Sequence, residues 1–95
     1  MIISNIMMLV KNTDGIRIQD VERQCGVAQG YFSRVDKKGT EHKIPIGIIT
    51  TVSDIFNVSI YDLVNTNLFY EQRMKELQEE MDRLRKEHDG RINHS

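Results

Sequence analysis

Polar and basic side chains that suit nucleic-acid recognition lie together in the stretch CGVAQGYFSRVDKKG, from Cys25 to Gly39. Gln and Ser side chains can hydrogen-bond to base edges in the major groove, whereas Arg and Lys bind phosphate without sequence preference. Tyr31, Phe32 and Val35 supply an apolar stripe at helical spacing, so the polar residues fall on the opposite side. With Gly26 as the corner, the stretch predicts a helix-turn-helix whose second helix enters a DNA groove.

Residue patterns typical of enzymes and metal sites do not occur in the sequence. It contains no Ser/His/Asp or Cys/His constellation and no phosphate-binding glycine loop. His42, His88 and His94 are too scattered to form a metal cluster. Cys25 is the only cysteine, which excludes a disulfide and a cysteine-rich zinc site, and its spacing from Val21 predicts a packing role. We expect no enzymatic activity, no cofactor and no metal.

Length and charge indicate one small folded domain with an appendage. The 95 residues are 39% hydrophobic and 28% charged, as in ordinary globular proteins. The net charge of −1 is unexpected for a nucleic-acid binder, although Arg34 to Lys43 is locally basic. We therefore expect weak non-specific affinity for DNA, since each neutralised phosphate contributes to binding.

The apolar start, MIISNIMMLVKN, resembles neither a signal peptide nor a membrane span. No basic region precedes it, and it is shorter than the about 20 residues a span requires. We expect a core helix, a cytoplasmic protein and no membrane association.

Apolar spacings of three and four residues predict five short helices within residues 2–65. The stretch KIPIGIITTV is rich in β-branched residues, which are typical of strands. The spacing of Ile46, Ile49, Val52 and Phe56 favours a helix, with its start at Pro45. Asn57 suits a left-handed cap, and Ser59 suits the start of the fifth helix.

The sequence YEQRMKELQEEMDRLRKEH has the heptad pattern of a short coiled coil. Acid-before-base pairs four residues apart favour a long helix. Three roles are open: self-association, docking on the helical domain, or binding another protein's helix. In a parallel dimer, Glu80 would face Arg85 of the second chain. The residues predicted to mediate dimerisation are Tyr70, Met74, Leu77, Met81 and Leu84.

The segments IRIQDVERQCGVAQGYFSRVDK and FNVSIYDLV resemble the lambda-repressor-like, Cro-type helix-turn-helix family over about residues 2–65. The resemblance implies a compact five-helix bundle that regulates transcription in bacteria or phages. It places the second helix at Ile18–Cys25 and the recognition helix at Gln29–Lys37. It also implies base reading by Gln29, Gly30 and Ser33, and phosphate contacts by Gln19, Arg34, Lys37 and Lys38.

Several residues depart from the family pattern. Glu22 stands where the family usually buries a small Ala, so either the helices splay or Glu22 finds a partner. Arg17 and Ala28 occupy N-cap positions where Ser or Thr is usual, which forfeits about 1 kcal/mol each. Gln19 lies one position after the usual phosphate-contacting Gln, which is replaced by Ile18.

Together these patterns predict an all-α fold, a compact five-helix domain followed by an amphipathic helix. We expect a DNA-binding domain over residues 1–65, a dimerisation helix over 66–89 and a frayed tail over 90–95. The predicted function is a regulator, most simply a repressor, that binds double-stranded DNA as a homodimer. The alternative is a protein-interaction module on the same fold, such as an anti-repressor or antitoxin, whose last helix holds a protein partner.

Overall fold

The computed structural model describes the backbone of residues 1–93 and the side chains of residues 1–87. Over that range the chain is all-helical, without a strand, which confirms the all-α prediction and the helix over KIPIGIITTV. The elements are α1 (Ile2–Lys11), α2 (Ile18–Gln24), α3 (Tyr31–Lys38), a 3₁₀ turn (Glu41–Lys43), α4 (Ile46–Phe56), α5 (Ile60–Asn65) and α6 (Tyr70–Asn93).

Helices α1 to α5 enclose one hydrophobic core. Helix α1 packs against α5, and α4 packs against both α5 and α2. The apolar stripe predicted for α1 is largely buried, since Ile2, Ile3, Ile6 and Leu9 all face the core. Such short helices are marginal alone, so packing between them stabilises each one. The fully buried side chains that hold α2 to α5 together are Val21, Phe32, Val52 and Leu63.

Gly26 ends α2 and turns the chain toward α3, as the sequence predicted. It has a φ of 74°, in the left-handed region that glycine adopts without strain. The Val27 N–H donates to the Glu22 carbonyl and the Gly26 N–H to the Arg23 carbonyl, both at 3.1 Å. This pattern is a Schellman motif, which satisfies the last carbonyls of the helix.

The ends of α4 and α5 follow the sequence signals closely. Asn57 has a φ of 53° at the end of α4, and the Ser59 hydroxyl accepts from the Asp62 N–H at 3.0 Å. Pro45 lies just before α4 rather than in it, since its N-cap conformation is extended. Ile46 was predicted on the buried stripe but is 66% exposed, because the first turn of α4 projects beyond the core.

A buried amide, Asn5, joins α1 to the connection that leads into α6. Its Nδ2 donates to the carbonyls of Leu63 and Thr66, both at 2.8 Å, and its Oδ1 accepts from the Leu68 N–H at 3.0 Å. Every polar atom of this amide group therefore has a partner, as burial requires. The end of α5 and the 66–69 connection are fixed to the first helix.

The last helix, α6, begins at Tyr70 and continues to Asn93, beyond the predicted end at residue 89. Gly90 is tolerated because a single glycine weakens a helix by about 1 kcal/mol without removing its backbone hydrogen bonds. The rest of the predicted tail, residues 94–95, lies outside the described residues. The start of α6 is held on α1 by a Lys11–Glu76 ion pair of 2.6 Å and a Gln72–Asn12 hydrogen bond of 3.3 Å.

No single helix in the described part of the chain is both long enough and apolar enough to cross a membrane. The one combination that meets both criteria joins α4 to the helices after it across a bend of 109°.

Candidate nucleic-acid interface

Helix α3 begins at Tyr31, two residues later than the sequence predicted. Gln29 and Gly30 were expected on the recognition helix, but they form the turn that precedes it. Gly30 is the N-cap, and its φ of 88° is incompatible with a right-handed helix. The helix predicted at Gln29–Lys37 is therefore Tyr31–Lys38 in the structure, and its N-cap is Gly30 rather than Ala28.

The start of α3 is fixed by the side chain of Glu22 on α2. The Glu22 carboxylate accepts from the Gly30 N–H at 3.0 Å and from the Phe32 N–H at 3.1 Å. Glu22 is only 1% exposed, so the carboxylate replaces water as the partner of these two amides. Of the two alternatives left by the sequence, the second is correct: Glu22 finds a partner.

Negative charge at the N-terminus of a helix is stabilised by the helix dipole and by amides that lack an intrahelical partner. Hydrogen bonds from backbone amides to a carboxylate are also stronger than neutral ones. Glu22 thus links α2 and α3 with a charged cap. An alanine at this position could not form these hydrogen bonds.

The N-terminus of α2 is capped differently, by a residue inside its first turn. Arg17 is the N-cap, as predicted, and its N–H donates to the Asp20 carboxylate at 2.9 Å. This hydrogen bond, together with the nearby Arg17 and Arg23 guanidinium groups, holds the pKa of Asp20 below its usual value. Asp20 therefore stays ionised near neutral pH. The predicted second helix, Ile18–Cys25, ends one residue earlier, with Cys25 as its C-cap.

Gly30, which was predicted to read a base, shapes the turn before α3. Its N–H is already donated to Glu22, so it is not free for a base. A Cβ at this position would lie 3.0 Å from the Nη1 atom of Arg34, which donates to the Gln29 carbonyl at 3.1 Å. Glycine here permits both the left-handed turn and the placement of the Arg34 guanidinium across it.

The amides of Gln19 and Gln29 lie next to each other on the exposed surface. They are 3.0 Å apart, and the Gln19 amide also lies within 3.0 Å of the Arg17 guanidinium. The sequence assigned these two glutamines to different contacts, phosphate and base. The structure brings them together, with Gln19 on α2 beside Gln29 at the approach to α3.

The solvent side of α3 is polar and basic. Phe32 and Val35 are buried, whereas the residues predicted to contact DNA from this helix are exposed. Asp36, the acidic residue of α3, lies on another side, where it lines a groove with Met1 and Glu41. The exposed predicted residues of α3 are Ser33, Arg34, Lys37 and Lys38.

A basic groove that the sequence did not predict runs along one side of α3. Arg34 and Lys38 line it together with Lys43, which comes from the 3₁₀ turn, and with Tyr31 and Thr40. Lys43 was counted in the local excess of positive charge but was not predicted as a contact. Lys43 lies five residues after Lys38, and the left-handed Gly39 ends the helix between them. Helical periodicity therefore could not predict that the two side chains lie close together.

The Cys25 thiol, close to the end of α2, has a packing role. Cys25 is half-buried against the core, and burial raises the pKa of its thiol. A thiol with a raised pKa stays protonated and unreactive near neutral pH. Within the described residues, no group of three or more His, Cys, Asp or Glu side chains is placed to hold a metal ion.

The residues predicted to mediate dimerisation form a continuous apolar stripe along α6. Each of them is between 45% and 56% exposed, although the start of the helix touches α1. The polar contacts to α1 come from Gln72 and Glu76, which lie on other positions of the heptad. These two contacts hold the start of α6 beside α1 and leave the apolar stripe of Tyr70, Met74, Leu77, Met81 and Leu84 largely open.

Comparison with protein-family models, with curated proteins and with solved structures finds no match to this chain.

Proposed function

We propose that this protein is a sequence-specific, double-stranded-DNA-binding transcription regulator with a lambda-repressor-like helix-turn-helix domain. The observation that carries the proposal is the exposed polar side of α3, with Ser33 on it and Gln29 at its start. Its N-terminus is held in place by the buried Glu22 carboxylate. A rigidly positioned polar helix is what major-groove recognition requires.

In this proposal α3 lies in the major groove with its N-terminal end nearest the bases. Gln29 and Ser33 hydrogen-bond to base edges, and Gln pairs well with adenine. The Gln19 amide, in contact with the Gln29 amide, limits the orientations that Gln29 adopts. Gln19 lies one residue after the position at which the lambda-repressor-like family contacts phosphate. Its main role in this proposal is to orient the Gln29 side chain.

The basic groove beside α3 supplies the electrostatic part of binding. Arg34, Lys38 and Lys43 converge there on one side, and Lys37 extends from the same exposed side of the helix. These side chains neutralise phosphates and set the register of the helix on the duplex. Residues 1–65 carry seven Lys and Arg against seven Asp and Glu, so a single helical domain binds DNA weakly. We therefore propose that two such domains act together as a homodimer through α6.

A second candidate function is a protein-interaction module on the same helical domain. The exposed apolar stripe on α6 favours it, because contiguous exposed apolar surface marks an interaction site. In that case the partner would be a different protein, and the basic groove would not be needed. A comparison of charge variants separates the two candidates.

Replacing Lys43 by alanine is expected to weaken binding to duplex DNA by a similar factor on every sequence. The slope of log affinity against log salt concentration should fall by about 1, because one phosphate contact is lost. Lys75→Ala is the matched control, since it removes the same charge from the exposed surface of α6. Affinities of the three chains for one duplex, measured by fluorescence anisotropy over a range of salt, test this. Equal slopes for all three chains would remove the basic groove from the interface.

A further inference from the structure

The apolar stripe on α6 borders a groove whose other wall is the start of α1. Met74 and Leu77 form the apolar side of this groove, and Ser4 of α1 lies opposite them. Its volume is 360 Å³, and it covers only the first half of the helix, since α1 lies beside residues up to Glu76. The full lining is Met1, Ser4, Asn67, Tyr70, Arg73, Met74 and Leu77.

We infer that this groove holds the second half of α6 from another copy of the chain, with the two helices antiparallel. The inference rests on the proposed homodimer and specifies how it assembles. In this pairing Met74 packs against Leu84 of the second copy, and Leu77 packs against its Met81. Each of these side chains is about half exposed in the single chain, so pairing removes apolar surface from water on both copies.

Charge complementarity along the edges of the stripe favours the antiparallel direction. Antiparallel pairing places Glu71 beside Arg85 of the second copy, and Arg73 beside its Glu87. Symmetry repeats both attractive pairs, and the four side chains are exposed. Glu80 would meet its own counterpart near the two-fold axis, which is one unfavourable contact.

A parallel pair has fewer attractive edge contacts. It places Glu80 beside Arg85 of the second copy, as the heptad pattern indicates. Arg73, however, then faces the neutral Gln78, and Glu71 has no basic partner from the described heptads. Opposite charges at these edge positions determine partner direction more than they determine affinity.

The position of α1 favours the same direction. Ser4, Met7 and Met8 of α1 line a groove with Arg73, so the first half of α6 has the helical domain alongside it. In a parallel pair, two such halves would have to meet with both domains at one end. The second half of α6, from Gln78 to Glu87, is exposed throughout. This half can therefore enter the groove of another copy without a clash between the two helical domains.

The antiparallel pairing places the two helix-turn-helix domains at opposite ends of the paired helices. The two-fold axis lies near Glu79, nine residues from Tyr70. At 1.5 Å per residue, the two Tyr70 positions are then roughly 27 Å apart along the helix axis. The spacing of the two helical domains is thus determined by the distance along α6 from Tyr70 to the two-fold axis.

Disulfide trapping tests the direction of pairing, with Cys25→Ser in every chain to remove the native thiol. A Met74→Cys chain and a Leu84→Cys chain are oxidised separately and as an equal mixture, and the products are identified by intact mass. We expect a mixed 74–84 disulfide dimer in the mixture and little self-linking in either separate sample. Self-linked dimers of Leu84→Cys would show parallel pairing and overturn the inference, as would the absence of any cross-link.

A charge-reversal pair gives a second test that needs no cysteine. Arg73→Glu is expected to raise the dimer dissociation constant about fivefold, since it turns two symmetry-related attractions into repulsions. Adding Glu87→Arg should restore it, and Glu79→Arg, at an outer heptad position, should not. Sedimentation equilibrium measures the constants, and failure of Glu87→Arg to restore dimerisation would contradict the antiparallel arrangement. Neither test involves DNA, so a parallel dimer that still selects an operator would leave the proposed function intact.

Discussion

Replacing Glu22 by alanine is expected to lower the free energy of unfolding by about 2–4 kcal/mol, because two backbone amides lose their shared acceptor. A buried donor left without a partner costs about 1–3 kcal/mol. Here the amides are those of Gly30 and Phe32, at the start of the proposed recognition helix. For a domain of this size, each kcal/mol lowers the melting temperature by about 4–8 °C. Thermal and urea unfolding followed by circular dichroism measure the effect.

Two further variants separate the capping role of Glu22 from a general effect of substitution. Glu22→Gln keeps one acceptor oxygen but loses the negative charge at the helix terminus, so its loss of stability should be intermediate. Glu79→Ala removes an exposed carboxylate from α6 and should change stability by no more than about 0.5 kcal/mol. If Glu22→Ala were no more costly than Glu79→Ala, Glu22 would not be the cap that orders the turn before α3.

Replacing Asn5 by leucine is expected to lower the free energy of unfolding by about 1–3 kcal/mol. The side chain has a similar size, but the Leu63 carbonyl loses its partner, and the Thr66 carbonyl and the Leu68 N–H keep only their hydrogen bond to each other, at 2.9 Å. Each unpaired buried group costs on the order of 1 kcal/mol or more. The connection at residues 66–69 should also loosen, since Asn5 is what fixes it to α1.

Unfolding in urea and limited proteolysis together measure the consequences of Asn5→Leu. Cleavage between residues 65 and 70 should become faster, because local opening of that connection precedes cutting. Asn65→Ala is the matched control, since Asn65 is exposed at the end of α5. An Asn5→Leu protein as stable and as resistant as this control would show that the buried amide does not hold α6 to the domain.

Local signals in the sequence were sufficient where a short stretch determines the structure. The spacing of apolar residues located α1 and α4, and Gly26, Asn57 and Ser59 each adopt the cap or turn that their chemistry favours. These features depend on a few neighbouring residues, so no knowledge of the rest of the fold is needed to recognise them.

The start of α3 could not be located in this way. Gln29 and Gly30 continue a plausible helical pattern, and what decides against a helix there is Glu22, which lies on the preceding helix. A carboxylate in a polar helix looks like a solvent-exposed residue in sequence. Only the packing of α2 on α3 shows that Glu22 faces inward and accepts from the next helix.

The partners of Asn5 and Lys43 were hidden for a similar reason. Asn5 bonds to residues about sixty positions later, so its sequence context shows only an amide in an apolar helix. Lys43 joins Arg34 and Lys38 because the chain reverses at Gly39 and forms a 3₁₀ turn. The heptad pattern of α6 was visible, but the side of α6 that α1 occupies was not.

The central proposal, that this chain recognises a DNA sequence, is tested most directly by selecting bound duplexes from a random pool with the full-length protein at moderate salt. We expect enrichment of an inverted repeat, because two equivalent heads read two equivalent half-sites. Gln29→Ala should change the preference at one position of each half-site, whereas Lys43→Ala should leave the enriched sequence unchanged. A folded protein that enriches no sequence would contradict the proposal and favour the protein-interaction module, with α6 as the segment that holds its partner.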